Sequence, residues 1–306
     1  MAQPDLSINI GTLKLGNPVL TASGTFGYGA EYGRFVDLSE FGGIITKTLT
    51  VEPRAGNPPP RAAETASGML NSIGLQNVGV EAFIQEKMPY LRKINTALIV
   101  NVGGETVEQF NQITERLADC EGIGALEVNM SCPNVSGGMD FSTDPSRAAG
   151  LISSIRKLTN LPLIAKLTPN VTDITQIASS VQDAGADAIS AINTVRGMGV
   201  DIKTRKPLLG AVMGGLSGPA IKPVAVAAVY QIANQVNIPI IGVGGIISGE
   251  DAIEFLVAGA TAVQVGTANF VEPNAGADVV EELNRWCTDS KILNINDLIR
   301  TIQIIP

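Results

Sequence analysis

The chain has 306 residues, 45% of them apolar, and a formal net charge of -8. That length and apolar content supply a full core for one large barrel or two smaller domains, and the acidic balance argues against general nucleic-acid binding. There is no histidine, and the three cysteines, Cys120, Cys132 and Cys287, form no CxxC pair, so histidine-built metal sites and histidine-based triads are excluded.

In chain order, residues 6–10 and 12–15 alternate apolar and polar around Gly11. They predict a small hairpin that closes the bottom of a larger fold. Residues 17–24 hold a first core strand and its loop, residues 32–38 a short helix, and residues 43–48 a second strand with a polar end. Residues 51–77, with Pro53, Pro58, Pro59, Pro60, Gly68 and Gly74, read as a long irregular excursion, and one this long is seldom idle.

Helix and strand then alternate. Strands are expected over 96–102, 125–128, 163–167, 188–192, 239–243 and 262–265. Helices are expected over 80–91, 105–120, 144–158, 173–184, 219–234 and 249–257, with two more near 277–286 and 296–302. Asp144 suits a helix cap and Pro145 the first helical position, while Gly185 ends a helix. A second excursion, 193–218, carries the basic patch Lys203-Thr204-Arg205-Lys206 and closes on Gly214-Gly215-Leu216-Ser217-Gly218. Eight βα units point to an α/β fold of the (β/α)8 TIM-barrel type. The expected form is one domain over 1–306, with an N-terminal hairpin and excursions after strands 2, 4 and 6. No GxGxxG fingerprint follows the first strand, which weakens a doubly wound dinucleotide-binding alternative. The N-terminus shows no charged-then-apolar leader pattern, and no apolar stretch reaches the length of about 18 residues that a membrane span needs. A cytoplasmic, reduced protein is expected.

Polar residues collect where strands end: Ser23, Lys47-Thr48, Asn101, Asn129 with Cys132, Lys166, Asn193-Thr194, Gly244-Gly245 and Gly266-Thr267. In a parallel barrel these ends form one mouth, where chemistry is placed. The glycines after strands 7 and 8, with Gly218 ahead of a helix, suit a phosphate held by main-chain N–H groups, although glycine also merely permits tight turns. Lys166 lies among apolar neighbours and must be paired or serve a ligand. It could face an electron-accepting ring, form a Schiff base, or pair with an acid. Lys47 could hold an anion or stay solvated. Cys132 could be a base, since a nearby positive charge makes a thiol usable, or a small buried hydrophobe. Asn129, Asn134 and Asn193 suit a planar polar heterocycle.

Taken together, several segments carry a resemblance. They include Ala22-Ser23-Gly24, Lys47-Thr48, Asn57-Pro58, the run from Glu64 to Asn71, and Ile73-Gly74-Leu75-Gln76-Asn77. They continue with the run from Asn129 to Val135, Gly137-Gly138, Lys166-Leu167, Ile192-Asn193-Thr194, the run from Lys203 to Pro207, and Gly266-Thr267-Ala268-Asn269. On these the chain resembles the catalytic subunits of class 1, B-type dihydroorotate dehydrogenases, over residues of about 7–300.

The resemblance implies an FMN at the barrel mouth, contacted by Ser23, Lys47, Thr48, Asn101, Asn129, Lys166, Ile192, Gly218, Gly244, Gly245, Gly266 and Thr267. It implies a pyrimidine, dihydroorotate or orotate, against Lys47, Asn71, Ser72, Ile73, Gly74, Leu75, Asn129, Asn134, Asn193 and Thr194. Cys132 would remove the C5 proton, a hydride would pass from C6 to flavin N5, and Lys166 would stabilise negative charge near N1 and C2. It further implies a homodimer of catalytic subunits within a heterotetramer, whose electron-transfer subunit carries FAD and a [2Fe–2S] cluster and delivers electrons to NAD+. Three scattered cysteines cannot ligate such a cluster here, and no metal site is expected in this chain. The rival readings are a fumarate-reducing homodimer with the same flavin, a flavin-free lyase or aldolase using Lys166, and a barrel turned binding subunit.

Overall fold

A computed structural model of the chain describes residues 3–131 and 141–304. Strands β1 (Ile8–Ile10) and β2 (Leu13–Leu15) form the antiparallel N-terminal hairpin. The side chain of Leu13 lies against Gly124 just ahead of a barrel strand, so the hairpin plugs the end from which strands start. Next come β3 (Val19–Thr21), β4 (Gly43–Ile45), β5 (Ala62–Thr65), β6 (Gly68–Asn71), β7 (Ala97–Val102), β8 (Ala125–Asn129), β9 (Leu163–Leu167) and β10 (Ala188–Ala191). The series ends with β11 (Val195–Gly197), β12 (Val200–Asp201), β13 (Lys206–Pro207), β14 (Gly214–Ser217), β15 (Ile240–Val243) and β16 (Ala262–Val265).

Eight of these, β3, β4, β7, β8, β9, β10, β15 and β16, close into a parallel barrel. This is the expected (β/α)8 architecture. Its strands read as near-continuous apolar runs because helices cover the outside and side chains fill the inside; β4, β9, β10, β15 and β16 are buried along their whole length.

The outer helices are set by local chemistry. Helix Val107–Ala118 starts where the Thr106 side chain accepts from the Gln109 N–H, and it turns Phe110, Ile113 and Leu117 inward. Asp144 caps Pro145–Arg156 by accepting from the Arg147 N–H at 2.8 Å. Asp173 caps Ile174–Asp183, and Gly185, at φ 99°, follows its end. Gly249–Ala258 begins in a capping box between Ser248 and Asp251. Trp286, on helix Ala275–Asp289, packs against the core as a partly buried anchor.

Three expectations need correction. Residues 32–38 form turns rather than a helix, followed by a short 3₁₀ segment, Leu38–Glu40. Gly27 and Gly29 just upstream adopt positive φ, and the chain folds back on itself through Tyr32, whose ring stacks on Phe26. The 51–77 excursion is not irregular, because β5 and β6 pair as an antiparallel hairpin within it. The final helix is a single 3₁₀ turn, Ile295–Leu298, not a helix over 296–302. Both the second and sixth barrel strands are followed by the expected excursions. The one after the fourth strand lies mainly outside the described residues.

The two described excursions meet. β6 pairs with β14, and β14 with β11, giving a four-stranded antiparallel sheet in the order β11-β14-β6-β5. Leu216 lies opposite Leu70, and Gly215 opposite Asn71. A side chain at Gly215 would run into Thr194, since its Cβ would stand 2.0 Å from the threonine Oγ1. Among the described residues no helix is long and apolar enough to cross a membrane.

Candidate active site at the barrel mouth

The barrel strands deliver polar side chains to their C-terminal ends, and a cavity of about 410 Å³ lies there. Ser23, Lys47, Thr48, Asn129, Lys166, Asn193 and Thr194 line it, each from the end of a barrel strand or the residues just after it. Asn71, Ile73, Gly74 and Leu75 reach it from the first excursion, and Ile192, Gly218, Gly244, Gly245, Gly266 and Thr267 complete the wall. Of the expected site residues that are described, Asn101 and Ser72 do not line the cavity. Both are fully buried, and Asn101 Oδ1 and Ser72 Oγ have no hydrogen-bond partner. Cys132 and Asn134 lie outside the described residues.

The glycine turns converge. A Cβ on Gly245 would stand 2.9 Å from the Gly218 carbonyl oxygen, and one on Gly218 would stand 3.6 Å from Thr267 Cγ2. Thr267 Oγ1 donates to Ser217 Oγ at 2.8 Å. Gly218, Gly244 and Gly245 all hold positive φ, which L side chains rarely adopt, so the main chain itself forms this end of the cavity. The turn after β15 is braced from behind. Asp251 accepts from the Ile247 and Ser248 N–H groups and from Lys222 Nζ at 2.7 Å. Burial alone would raise the Asp251 carboxyl, but the bond from Lys222 and those main-chain donors bring it below the usual carboxylate value.

The opposite end is cationic and polar. Burial holds the Lys47 ammonium below the ordinary lysine value, Arg61 pushes the same way, and Glu31 opposes both. Arg61 fixes the excursion itself, donating to the carbonyls of Asn57 and Ala55 and to Gln76 Oε1. Asn193 Nδ2 donates to Ser131 Oγ at 3.0 Å and to Asn129 Oδ1 at 3.3 Å. Beside Lys47, that side of the mouth is a set of uncharged amides and hydroxyls, suited to a planar heterocycle with ring amides.

Between the two ends sits Lys166, whose side chain is 6% exposed. Its Nζ donates to Gln264 Oε1 at 3.2 Å, Ser23 Oγ at 3.3 Å and Glu127 Oε1 at 3.5 Å. Glu127 is fully buried and collects three further donors: Asn101 Nδ2 at 2.6 Å, Ser190 Oγ at 2.6 Å and Gln264 Nε2 at 2.5 Å. Glu127, Ser190 and Gln264 were not foreseen as site residues. The signal was present, since each is a polar residue inside an apolar strand (ALEVN, AISA and AVQV), the same sign that singled out Lys166. Among the described residues no cluster of acids and cysteines is arranged to hold a metal ion. Cys120 and Cys287 are free thiols, and burial pushes the Cys287 thiol up.

The family model for dihydroorotate dehydrogenase matches residues 5–286. A protein of Geobacter metallireducens described as "Dihydroorotate dehydrogenase B (NAD(+)), catalytic subunit" is 52% identical over 305 residues, covering 99% of this chain and 100% of that protein. One of the same description from Trichlorobacter lovleyi is 53% identical over 302 residues, covering 98% and 99%. Among solved structures, the Eimeria tenella DHODH in complex with ferulenol superposes with a TM-score of 0.81 at 25% identity, covering 97% of this chain and 88% of that one. A closed parallel barrel with this mouth, matched along nearly its whole length by such relatives, belongs to the dihydroorotate dehydrogenase family.

Proposed function

We propose that the chain oxidises dihydroorotate to orotate, working as one FMN-binding barrel domain over 1–306. The observation that carries this is the cavity itself. It joins a main-chain cradle of positive-φ glycines at one end, through the buried Lys166, to Lys47 and a wall of uncharged amides at the other. These residues fit FMN. The phosphate would be held by Gly218, Gly244, Gly245, Gly266 and Thr267, and the ring by Ser23, Lys47, Thr48, Asn129, Lys166 and Ile192. Asn101 stands behind that lining with an unpartnered buried oxygen. When bound, FMN supplies a two-electron acceptor for the substrate's hydride.

The rest is done by this chain. Lys47 would pair with the substrate carboxylate, while Asn71, Asn129, Asn193 and Thr194 hold the ring amides in line. Ile73, Gly74 and Leu75, with Asn134, would complete the substrate contacts and exclude water, with Ser72 buried behind them. Cys132 would take the C5 proton as base. Lys166 would present a fixed positive charge to the electron-accepting side of the site.

B-type relatives are described as NAD(+) enzymes with a catalytic subunit. By that likeness, electrons leave this chain for NAD+ through a partner subunit carrying FAD and a [2Fe–2S] cluster, in a heterotetramer built on a catalytic homodimer in the cytoplasm. The test is anaerobic mixing of the FMN-loaded chain with dihydroorotate. Flavin bleaching is expected in the native protein and not in Cys132→Ala. Full bleaching at the native rate in that variant would overturn the base assignment. No bleaching in the native protein would overturn the activity. Turnover with fumarate by the chain alone would replace the NAD+ route.

A further inference from the structure

We propose that Glu127 is the counter-ion that keeps Lys166 protonated and fixes its ammonium at the cavity wall; it is a positioning residue, acting on the reaction only through Lys166. The proposal rests on the reading of the mouth as an FMN site.

The strand registers set the arrangement. Glu127 on β8 lies level with Asn101 on β7, while Lys166 on β9 lies level with Asn129 on β8 and Ser190 on β10. Alternate residues of a strand share a face, so Glu127 sits one layer deeper in the barrel than Asn129. The carboxylate is saturated. Oε1 takes Asn101 and Lys166, and Oε2 takes Ser190 and Gln264, which fills the roughly four lone-pair sites of the group. Gln264 bridges the pair, donating to Glu127 and accepting from Lys166. A carboxylate held by three neutral donors cannot swing away, and the lysine it faces is tied to it at this depth together with Gln264 and Ser23.

The electrostatic consequence follows from burial. A lysine this enclosed, without a counter-charge, drifts toward its neutral form. Among the described residues the titratable groups toward it are Glu127 beneath and Lys47 across the mouth. Its remaining contacts, Ser23 and Gln264, are neutral. Lys47 can only disfavour a second positive charge, so Glu127 is the one counter-charge in contact with the ammonium, beside the neutral acceptors Ser23 and Gln264.

The test measures the midpoint potential of the bound FMN against pH in the loaded chain, beside the protonation of Lys166 followed through ¹³Cε-labelled lysine and assigned by its loss in Lys166→Met. Glu127→Gln should give the labelled lysine a pH inflection that the native protein does not share. The flavin's two-electron equilibrium on the alkaline side should then fall about tenfold, about 30 mV by the constant for such a couple. Glu127→Asp should restore the native profile, and Glu127→Gln should add nothing in a Lys166→Met background. A loosened barrel alone would lower stability without creating that inflection. The proposal fails if Glu127→Gln keeps the native potential and pH profile while Lys166→Met shifts them. If Lys166→Met leaves the potential unmoved, the reading of Lys166 as a flavin contact fails instead. Should Glu127→Gln not fold, the labelled lysine decides in the native protein and in Glu127→Asp: titration near neutrality in both overturns the proposal, and retention of the proton in both supports it.

Discussion

Lys47 shows how one side chain ties the first excursion to the chemistry. It is mostly enclosed, its charge is disfavoured by burial and by Arg61, and an arriving carboxylate would supply the missing compensation. Lys47→Ala should therefore raise KM for dihydroorotate roughly 100-fold, the equivalent of about 3 kcal/mol, as expected when a buried charged partner is truncated. The sign with pH follows from the same cause. Only the protonated lysine holds the anion, so KM should rise as pH climbs through a Lys47 value set below that of free lysine. Steady-state kinetics on the acid and alkaline sides check both. A pH-independent KM, or an unchanged KM in the alanine variant, would remove Lys47 from substrate binding. At this scale the sequence was informative wherever a polar residue interrupted an apolar strand, as at Lys166. Glu127 carried the same mark, but its meaning depends on Asn101, Ser190 and Gln264, which come from three other strands.

Elements with local start and stop signals were the most legible. Asp144-Pro145, Asp173 and Gly185 bound their helices as expected because a cap is satisfied within three residues. The turns over 32–38 were not legible, since their shape comes from the Tyr32 ring stacked on Phe26 and its hydroxyl reaching the Asn269 carbonyl, far along the chain. The capping box at Ser248 and Asp251 does two jobs, ending a glycine turn of the cavity and starting helix Gly249–Ala258. Asp251→Ala should cost roughly 1–2 kcal/mol of stability by loss of the cap and also weaken FMN retention. The Asp251 carboxyl sits below its unfolded value, so its contribution is present above about pH 3.9 and is lost as pH falls through the lower, folded value. Denaturant unfolding of native and variant protein at neutral and acid pH should show the two curves converging at low pH. A constant gap would show that the carboxylate charge contributes nothing.

For the whole molecule, the eightfold alternation was enough to give the barrel, since each strand pairs with neighbours from adjacent βα units and β16 returns to β3. The pairing of β6 with β14 was not foreseeable. Those strands lie in separate excursions, and each alone reads as a Gly-rich loop. Their union brings Asn71 opposite Gly215, where the asparagine Nδ2 donates to the Gly215 carbonyl at 3.4 Å and where any larger side chain would displace Thr194.

Hydrogen exchange should find the amides of β6 and β14 opening at one shared rate and slowing together when orotate is added; independent rates would break the link. Given that shared rate, a hairpin from one third of the chain and a strand from another would move as a single cover. Entry and exit of the pyrimidine would then depend on one concerted opening, and a substitution in either excursion would change the traffic through both.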